Sequence, residues 1–226
     1  HVYDCFQVYS AWCANNHNVH DVHTKPEDCI SPEALEEKAR DAETSPSVRV
    51  CYAGRATSVK GPLDWVRAVA HARSLGAPIE ATWIGDGPML EEMRALAADS
   101  GLGDHFNAPG FVSDRAVVLE VLRKGHVMPF AHLTPESPRC LLESLLSGTP
   151  IVGYNNAYAM DLIEGHGGGL FVPLEDWKAL GESLAGLARD RGKLAELIRV
   201  AGANGARFND VEVFRERSDL IKRYLP

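Results

Sequence analysis

No apolar run in this sequence approaches the roughly 18–20 residues needed to cross a bilayer, and no secretory signal is legible. A broad basic surface is also missing. The formal charge is −8, which speaks against nucleic acid as a partner. The five cysteines, Cys5, Cys13, Cys29, Cys51 and Cys140, form no CxxC pair, and their odd number leaves one over. Unpaired thiols in a reducing compartment fit this better than a disulfide framework, so the expected location is cytoplasmic. Two phosphate-binding fingerprints are absent: there is no GxxxxGK[ST], and no GxGxxG follows the first strand. The run His166-Gly167-Gly168-Gly169 has the look of a lipase oxyanion loop, but the nucleophile elbow GxSxG that it would serve is absent. No internal repeat and no low-complexity tract is present.

What is there suffices for a real core. The chain has 226 residues, 45% of them hydrophobic, enough for one large domain or two small ones. It starts at His1 rather than Met, which reads as a fragment, a processed product or a trimmed form. Residues 1–46 carry aromatic and His residues without a clear period, then a short acidic helix introduced by Ser31-Pro32, then a linker. His17, His20 and His23 recur every third residue with Asp21 among them. On a helix or turn they could meet a metal, but such clusters more often hydrogen-bond, and no metal site is assigned.

From residue 48 the pattern becomes strand–helix alternation. Strands are expected at 48–53, 79–84, 127–130, 151–154 and 169–172, with 105–112 short and extended. Helices are expected at 63–75, from Pro88 to 98, from a Ser113-Asp114 cap to 124, at 158–163, twice within 175–203, and at 211–224. Such alternation implies βαβ units and an α/β fold with a doubly wound parallel sheet flanked by helices. Ligands of these sheets lie at the carboxyl ends of the strands.

Four places at those ends could carry chemistry. Gly54 lets the chain turn close to a ligand, and Arg55 and Lys60 bring two cations suited to a diphosphate. Gly85-Asp86-Gly87-Pro88 is a tight turn that lines the same edge by position alone. Gly110, Phe111 and Val112 could offer backbone groups and a ring to a flat base, although Phe111 by itself reads as core. The fourth is the stretch 132–154. Ser137 is expected to cap a helix with Pro138 at its first position. Leu141, Leu142, Leu145 and Leu146 form its apolar face, and Gly148 stops it. The free N–H groups of Arg139, Cys140 and Leu141 would then lie between two acids, Glu136 and Glu143. That arrangement can hold phosphate and sugar hydroxyls together.

The blocks GRATSVKGPLDWVRAV, IGDGPMLEEMRALAADSGLGDHFNAPGFV and PESPRCLLESLLSGTPIV, in this order, resemble the donor-binding half of retaining glycosyltransferases of the GT-B fold, family 4 type (glycosyl transferases group 1). The resemblance covers residues 47–226. It implies a Rossmann-like domain, the C-terminal half of a GT-B fold, that takes a nucleotide-sugar donor, UDP- or GDP-linked, and needs no metal. Arg55 and Lys60 would hold the diphosphate, the backbone at Gly110 to Val112 would face the base, and Glu143 would bind the ribose. The helix start at Arg139 to Leu141 would take phosphate, and Glu136 would touch the transferred sugar, with Ser137 able to share that contact. Gly54 and Gly85 line the donor site. The spacing departs from the family pattern, with six residues between the glutamates rather than seven. Family members also carry an N-terminal domain with the acceptor site, for which only 46 residues stand here. The organisation implied is a remnant plus linker at 1–46, the donor domain at 47–209, and a last helix at 210–226. The apolar residues Val213, Phe214, Leu220 and Ile221 of that helix would need a partner outside the domain. The implied partners are the donor and a saccharide or lipid-linked acceptor in bacterial polysaccharide or glycolipid assembly, without nucleic acid and with peripheral membrane association of the whole enzyme, at the inner face. A non-catalytic nucleotide or sugar-phosphate module and a nucleotide-sugar 2-epimerase are the alternatives.

Overall fold

The computed structural model describes residues 11, 12, 17, 19, 20, 22–134 and 136–225. Asp21, Cys5 and Cys13 lie outside these residues. Six parallel strands, β1 (Val48–Ala53), β2 (Ile79–Ile84), β3 (Phe106–Gly110), β4 (Met128–Phe130), β5 (Ile151–Tyr154) and β6 (Gly169–Val172), form two halves ordered β1-β2-β3 and β4-β5-β6. The halves meet through a parallel bridge between Val50 and Val127, where the Cys51 N–H donates to the Val127 carbonyl at 3.0 Å. The full order is therefore β3-β2-β1-β4-β5-β6, the doubly wound arrangement with its switch point between β1 and β4. The expected α/β class holds.

Nine helices pack on the described part of the sheet: α1 (Pro32–Thr44), α2 (Pro62–Ser74), α3 (Leu90–Asp99), α4 (Arg115–Lys124), α5 (Arg139–Leu146), α6 (Ala157–Ile163), α7 (Trp177–Arg189), α8 (Arg191–Gly205) and α9 (Asp210–Lys222). On one side α2 packs against α3 and α7. On the other, α8 packs against α1 and α5, with α4 beside α5. Local chemistry sets most starts. Ser31 Oγ accepts from the Ala34 N–H, Asp114 caps α4, and Asn209 caps α9, each satisfying a donor that the first turn leaves open. The helix after β2 starts at Leu90, not Pro88, because Pro88 and Met89 belong to a turn whose Met89 N–H donates to the Ala56 carbonyl.

The core beneath the carboxyl edge is aromatic. Tyr52 stacks on Trp83 with ring centroids 4.0 Å apart, and Trp65 meets Trp83 edge-on at 5.5 Å. Both indole N–H groups are used, as burial requires: Trp65 donates to the Pro129 carbonyl at 2.9 Å and Trp83 to the Gly54 carbonyl at 3.1 Å. The core thus grips β4 and the first residue of the loop after β1.

α1 lies before the boundary expected at residue 47, yet it buries Ala39 and Ala42 against α8. Its Lys38 is buried too and donates to the carbonyls of Leu122 (3.2 Å) and Ser147 (2.9 Å) and to Thr149 Oγ1. Those carbonyls lie at the C-terminal ends of α4 and α5, where a cation is favourable. Burial nevertheless pushes the ammonium down to about 7. Between pH 7 and 10.5 the unfolded chain therefore holds a proton that the folded chain has released, so folding gains stability as pH rises through that window. Compared by thermal melting from pH 7 to pH 10, the parent should gain on Lys38→Met by about 1 kcal/mol or more; parallel pH profiles would refute this.

α9 departs from expectation in one residue. Val213 is buried within this chain, whereas Phe214 and Ile221 are exposed and Leu220 is half-buried. The glycine run after His166 forms the turn at the amino end of β6, away from the strand ends that ligands use. Asn204 Nδ2 holds the Gly167 carbonyl there at 2.8 Å.

Candidate functional site

The loops after β1 and β4 lock together at the switch point. The Leu133 N–H donates to the Val59 carbonyl at 2.9 Å. Gly61 (φ 59°) starts α2 so close to the β4 loop that a Cβ there would sit 2.1 Å from the Ala131 carbonyl oxygen. Lys60, at the end of the 3-10 turn Ser58–Lys60, forms an ion pair with Glu136, and its side chain is only 14% exposed. Beneath it His132 Nε2 lies 2.7 Å from Tyr52 Oη. Burial, with Lys60 adding to it, pushes His132 down to about 3, and burial holds the Tyr52 phenol well above its usual range. Both are neutral at physiological pH, so Lys60 is the cation of this corner.

Beside that corner opens a cleft of about 1010 Å³ across the carboxyl ends of β1, β2 and β3 and the start of α5. Gly54, Arg55, Gly85, Phe111, Val112, Arg139 and Glu143 line it. Its rim is a backbone ladder: the Gly54 N–H donates to the Ile84 carbonyl at 2.8 Å and the Gly85 N–H to the Gly110 carbonyl at 2.9 Å. Among the described residues the Arg55 and Arg139 guanidinium groups have no protein partner. Two unneutralised cations facing one cleft suit an anionic ligand with several oxygens.

Seven of the residues expected to act thus share one wall. Lys60 and Glu136 stand beside it, holding each other. Gly110 is buried, with its carbonyl taken by Gly85. Three local expectations change. Pro138, not Ser137, occupies the cap position of α5, and no side chain caps it. The Leu141 N–H is not free, since it donates to the Pro138 carbonyl at 3.2 Å, leaving Arg139 and Cys140 as the open donors of the first turn. Phe111 is not core: it is 74% exposed, because Gly110 (φ 90°) turns the chain outward at the end of β3. The Cys140 thiol is pushed up to about 12 by burial, so it offers no thiolate.

Sequence reasoning missed Arg115. It heads α4 and its Nη1 donates to Glu143 Oε1 at 2.7 Å. The only sequence signal was a cation just after the Asp114 cap, and its partner lies 28 residues away. Ala53, Thr57, Ile84, Asp86, Gly87, Pro88 and Val118 complete the lining. His17 Nε2 lies 2.7 Å from Tyr224 Oη, and His20 packs edge-on against Phe208 at 5.1 Å. Among the described residues no three acidic, His or Cys groups form a metal cluster.

Residues 33–204 match the family model for glycosyl transferases group 1. The chain is 25% identical over 201 residues to the amylovoran biosynthesis glycosyltransferase AmsK of Erwinia amylovora, covering 86% of this chain and 49% of that protein. It is 32% identical over 161 residues to the 2-deoxystreptamine N-acetyl-D-glucosaminyltransferase of Streptomyces fradiae, covering 66% of this chain and 37% of that one. The chain therefore spans half or less of the length of these relatives. Its fold is similar to that of Anabaena HepE, crystallised with UDP, at a TM-score of 0.73 and 18% identity, over 91% of this chain and 57% of that one. The structural likeness is one of fold, to GT-B glycosyltransferase domains.

Proposed function

Because the chain belongs to the glycosyl transferases group 1 family, matched over residues 33–204, we propose that it is the donor-binding part of a retaining, family 4 type glycosyltransferase that uses a nucleotide-sugar. The observation that carries this reading is the meeting of Arg55, Arg139 and Glu143 in one cleft at the strand ends. Arg55, Lys60 and the open N–H groups of α5 take the diphosphate. Glu143 accepts from the ribose hydroxyls, exposed Phe111 and the backbone at Val112 face the base, and Glu136 with Ser137 meets the sugar. Transfer places developing negative charge on the leaving diphosphate, and preorganised cations there lower the barrier. The α5 start adds about 0.3–1 kcal/mol where exposed, so the cations do most of this. No step needs a metal ion.

Relatives in amylovoran synthesis support bacterial polysaccharide or glycolipid assembly, with a saccharide or lipid-linked acceptor. We place the whole enzyme on the cytoplasmic side, peripherally at the inner membrane face; among the described residues no helix is long and apolar enough to cross a membrane. A second reading is nucleotide binding without transfer. Donor binding without release of nucleoside diphosphate, on this chain and on any longer form of it, would support that reading.

A thermal-shift screen with UDP, GDP, ADP and CMP and their sugars should single out one base. Glu143→Gln should then weaken that nucleotide roughly 5- to 10-fold, the worth of about 1 kcal/mol lost from a charged acceptor. An unchanged dissociation constant would remove Glu143 from the site.

A further inference from the structure

Three separated parts of the chain meet at Arg115, among them Glu143, an acid of α5 that lines the cleft. Arg115, the first residue of α4, donates through Nη1 to Glu143 Oε1 at 2.7 Å. Its other terminal nitrogen, Nη2, lies 3.4 Å from Asp28 Oδ2. Asp28 ends the 3-10 turn Pro26–Asp28, and that turn is itself fastened to α4, because Arg123 Nη2 donates to the Asp28 carbonyl at 2.8 Å. The guanidinium is thus held from both sides.

We propose that Arg115 is a positioning residue for nucleoside recognition: it fixes the Glu143 carboxylate for the ribose hydroxyls, and Asp28 holds Arg115 in place. This rests on the reading of Glu143 as the ribose ligand. The planar fork of an arginine fixes direction as well as charge. With Oε1 anchored, Oε2 has no protein partner among the described residues and stays available to a hydroxyl. The pairing also answers an electrostatic problem. A bare carboxylate in a cleft built for a diphosphate would repel its ligand, whereas a neutralised one accepts hydroxyl protons with little repulsion. The Arg115 side chain is 46% exposed and that of Glu143 20%. Such a pair adds little to stability, so the geometry of Glu143 is what its loss would change. Through Asp28 the clamp also ties the segment preceding α1 to the side chain that reads the nucleoside.

The test is isothermal titration of the whole chain with UDP and GDP and with the 2′,3′-dideoxy form of each, for the parent, Arg115→Met, Arg115→Lys and Asp28→Asn, with melting temperatures to verify folding. The parent should prefer the ribose form. Arg115→Met should weaken the ribonucleotide about 5- to 10-fold and leave the dideoxynucleotide within about twofold, so that the preference disappears. Arg115→Lys should restore part of it, and Asp28→Asn should show a smaller loss of the same kind. A parent indifferent to the ribose hydroxyls, or one binding neither diphosphate, would overturn the Glu143 reading and this proposal with it. A preference that survives Arg115→Met overturns the positioning role alone. Equal losses for both nucleotide forms do the same, and would make Arg115 a phosphate ligand.

Discussion

Lys60→Ala is expected to weaken nucleoside diphosphate binding by roughly 10- to 100-fold, the consequence of losing about 1.5–3 kcal/mol of charge-assisted hydrogen bonding. The size of the effect follows from where Lys60 sits. Only 14% of its side chain is exposed, so water screens it poorly and cannot take over its role. Burial keeps the neighbouring His132 neutral, so it cannot substitute for that charge. The ion pair with Glu136 gives a second, opposite expectation. In the free protein Glu136 neutralises Lys60, and a diphosphate must displace it. Glu136→Gln removes both that competitor and a like charge beside the ligand, so it should tighten nucleoside diphosphate binding several-fold while impairing any contact Glu136 makes with the sugar. Titration calorimetry on both variants checks the pair. Unchanged binding in Lys60→Ala, or weaker binding in Glu136→Gln, would show that the diphosphate lies elsewhere.

The sequence carried the layout of the fold and much of the cleft wall, for physical reasons that particular residues make plain. Strands such as 48–53 and 151–154 are buried on both faces, so they read as near-continuous apolar runs between Gly- and Pro-marked turns. Gly54, Arg55, Gly85 and Arg139 were legible because strand order and chain direction alone put their loops at one edge. What escaped depends on side-chain direction or on distant partners. Phe111 has the composition of a core residue, and only the positive φ of Gly110 turns it outward. Lys38 belongs to an acidic helix that reads as solvated. It is buried because the ends of α4 and α5, more than 80 residues on, supply its acceptors. Arg139 was read through its backbone N–H, yet it also lines the cleft and its guanidinium has no protein partner among the described residues. Arg115 gave no sign of reaching Glu143. Ser137 fitted the cap rule, but the helix starts one residue later, after Pro138.

The largest effect on the fold itself is expected from Gly85→Ala. Gly85 follows β2 at φ 139°, a conformation that L side chains rarely adopt, and a Cβ there would lie 2.0 Å from the Gly54 carbonyl oxygen. Neither side can yield cheaply. The Gly54 carbonyl is held by the Trp83 indole, and the Gly85 N–H is committed to the Gly110 carbonyl. Backbone strain of about 1–3 kcal/mol and overpacking of about 1–3 kcal/mol act together, so a loss of about 3 kcal/mol or more is expected. For a chain of this size that corresponds to a fall in melting temperature of roughly 6–12 °C. The damage is aimed at the cleft, because relief requires the loops after β1 and β2 to part, and Arg55 rides on the first of them. Nucleotide affinity should therefore fall even at temperatures where the variant is fully folded. Differential scanning calorimetry and titration at 10 °C separate the two effects. A variant that melts within about 2 °C of the parent and binds equally well would show that the loops after β1 and β2 are not locked as the hydrogen bonds from Gly54 and Gly85 require.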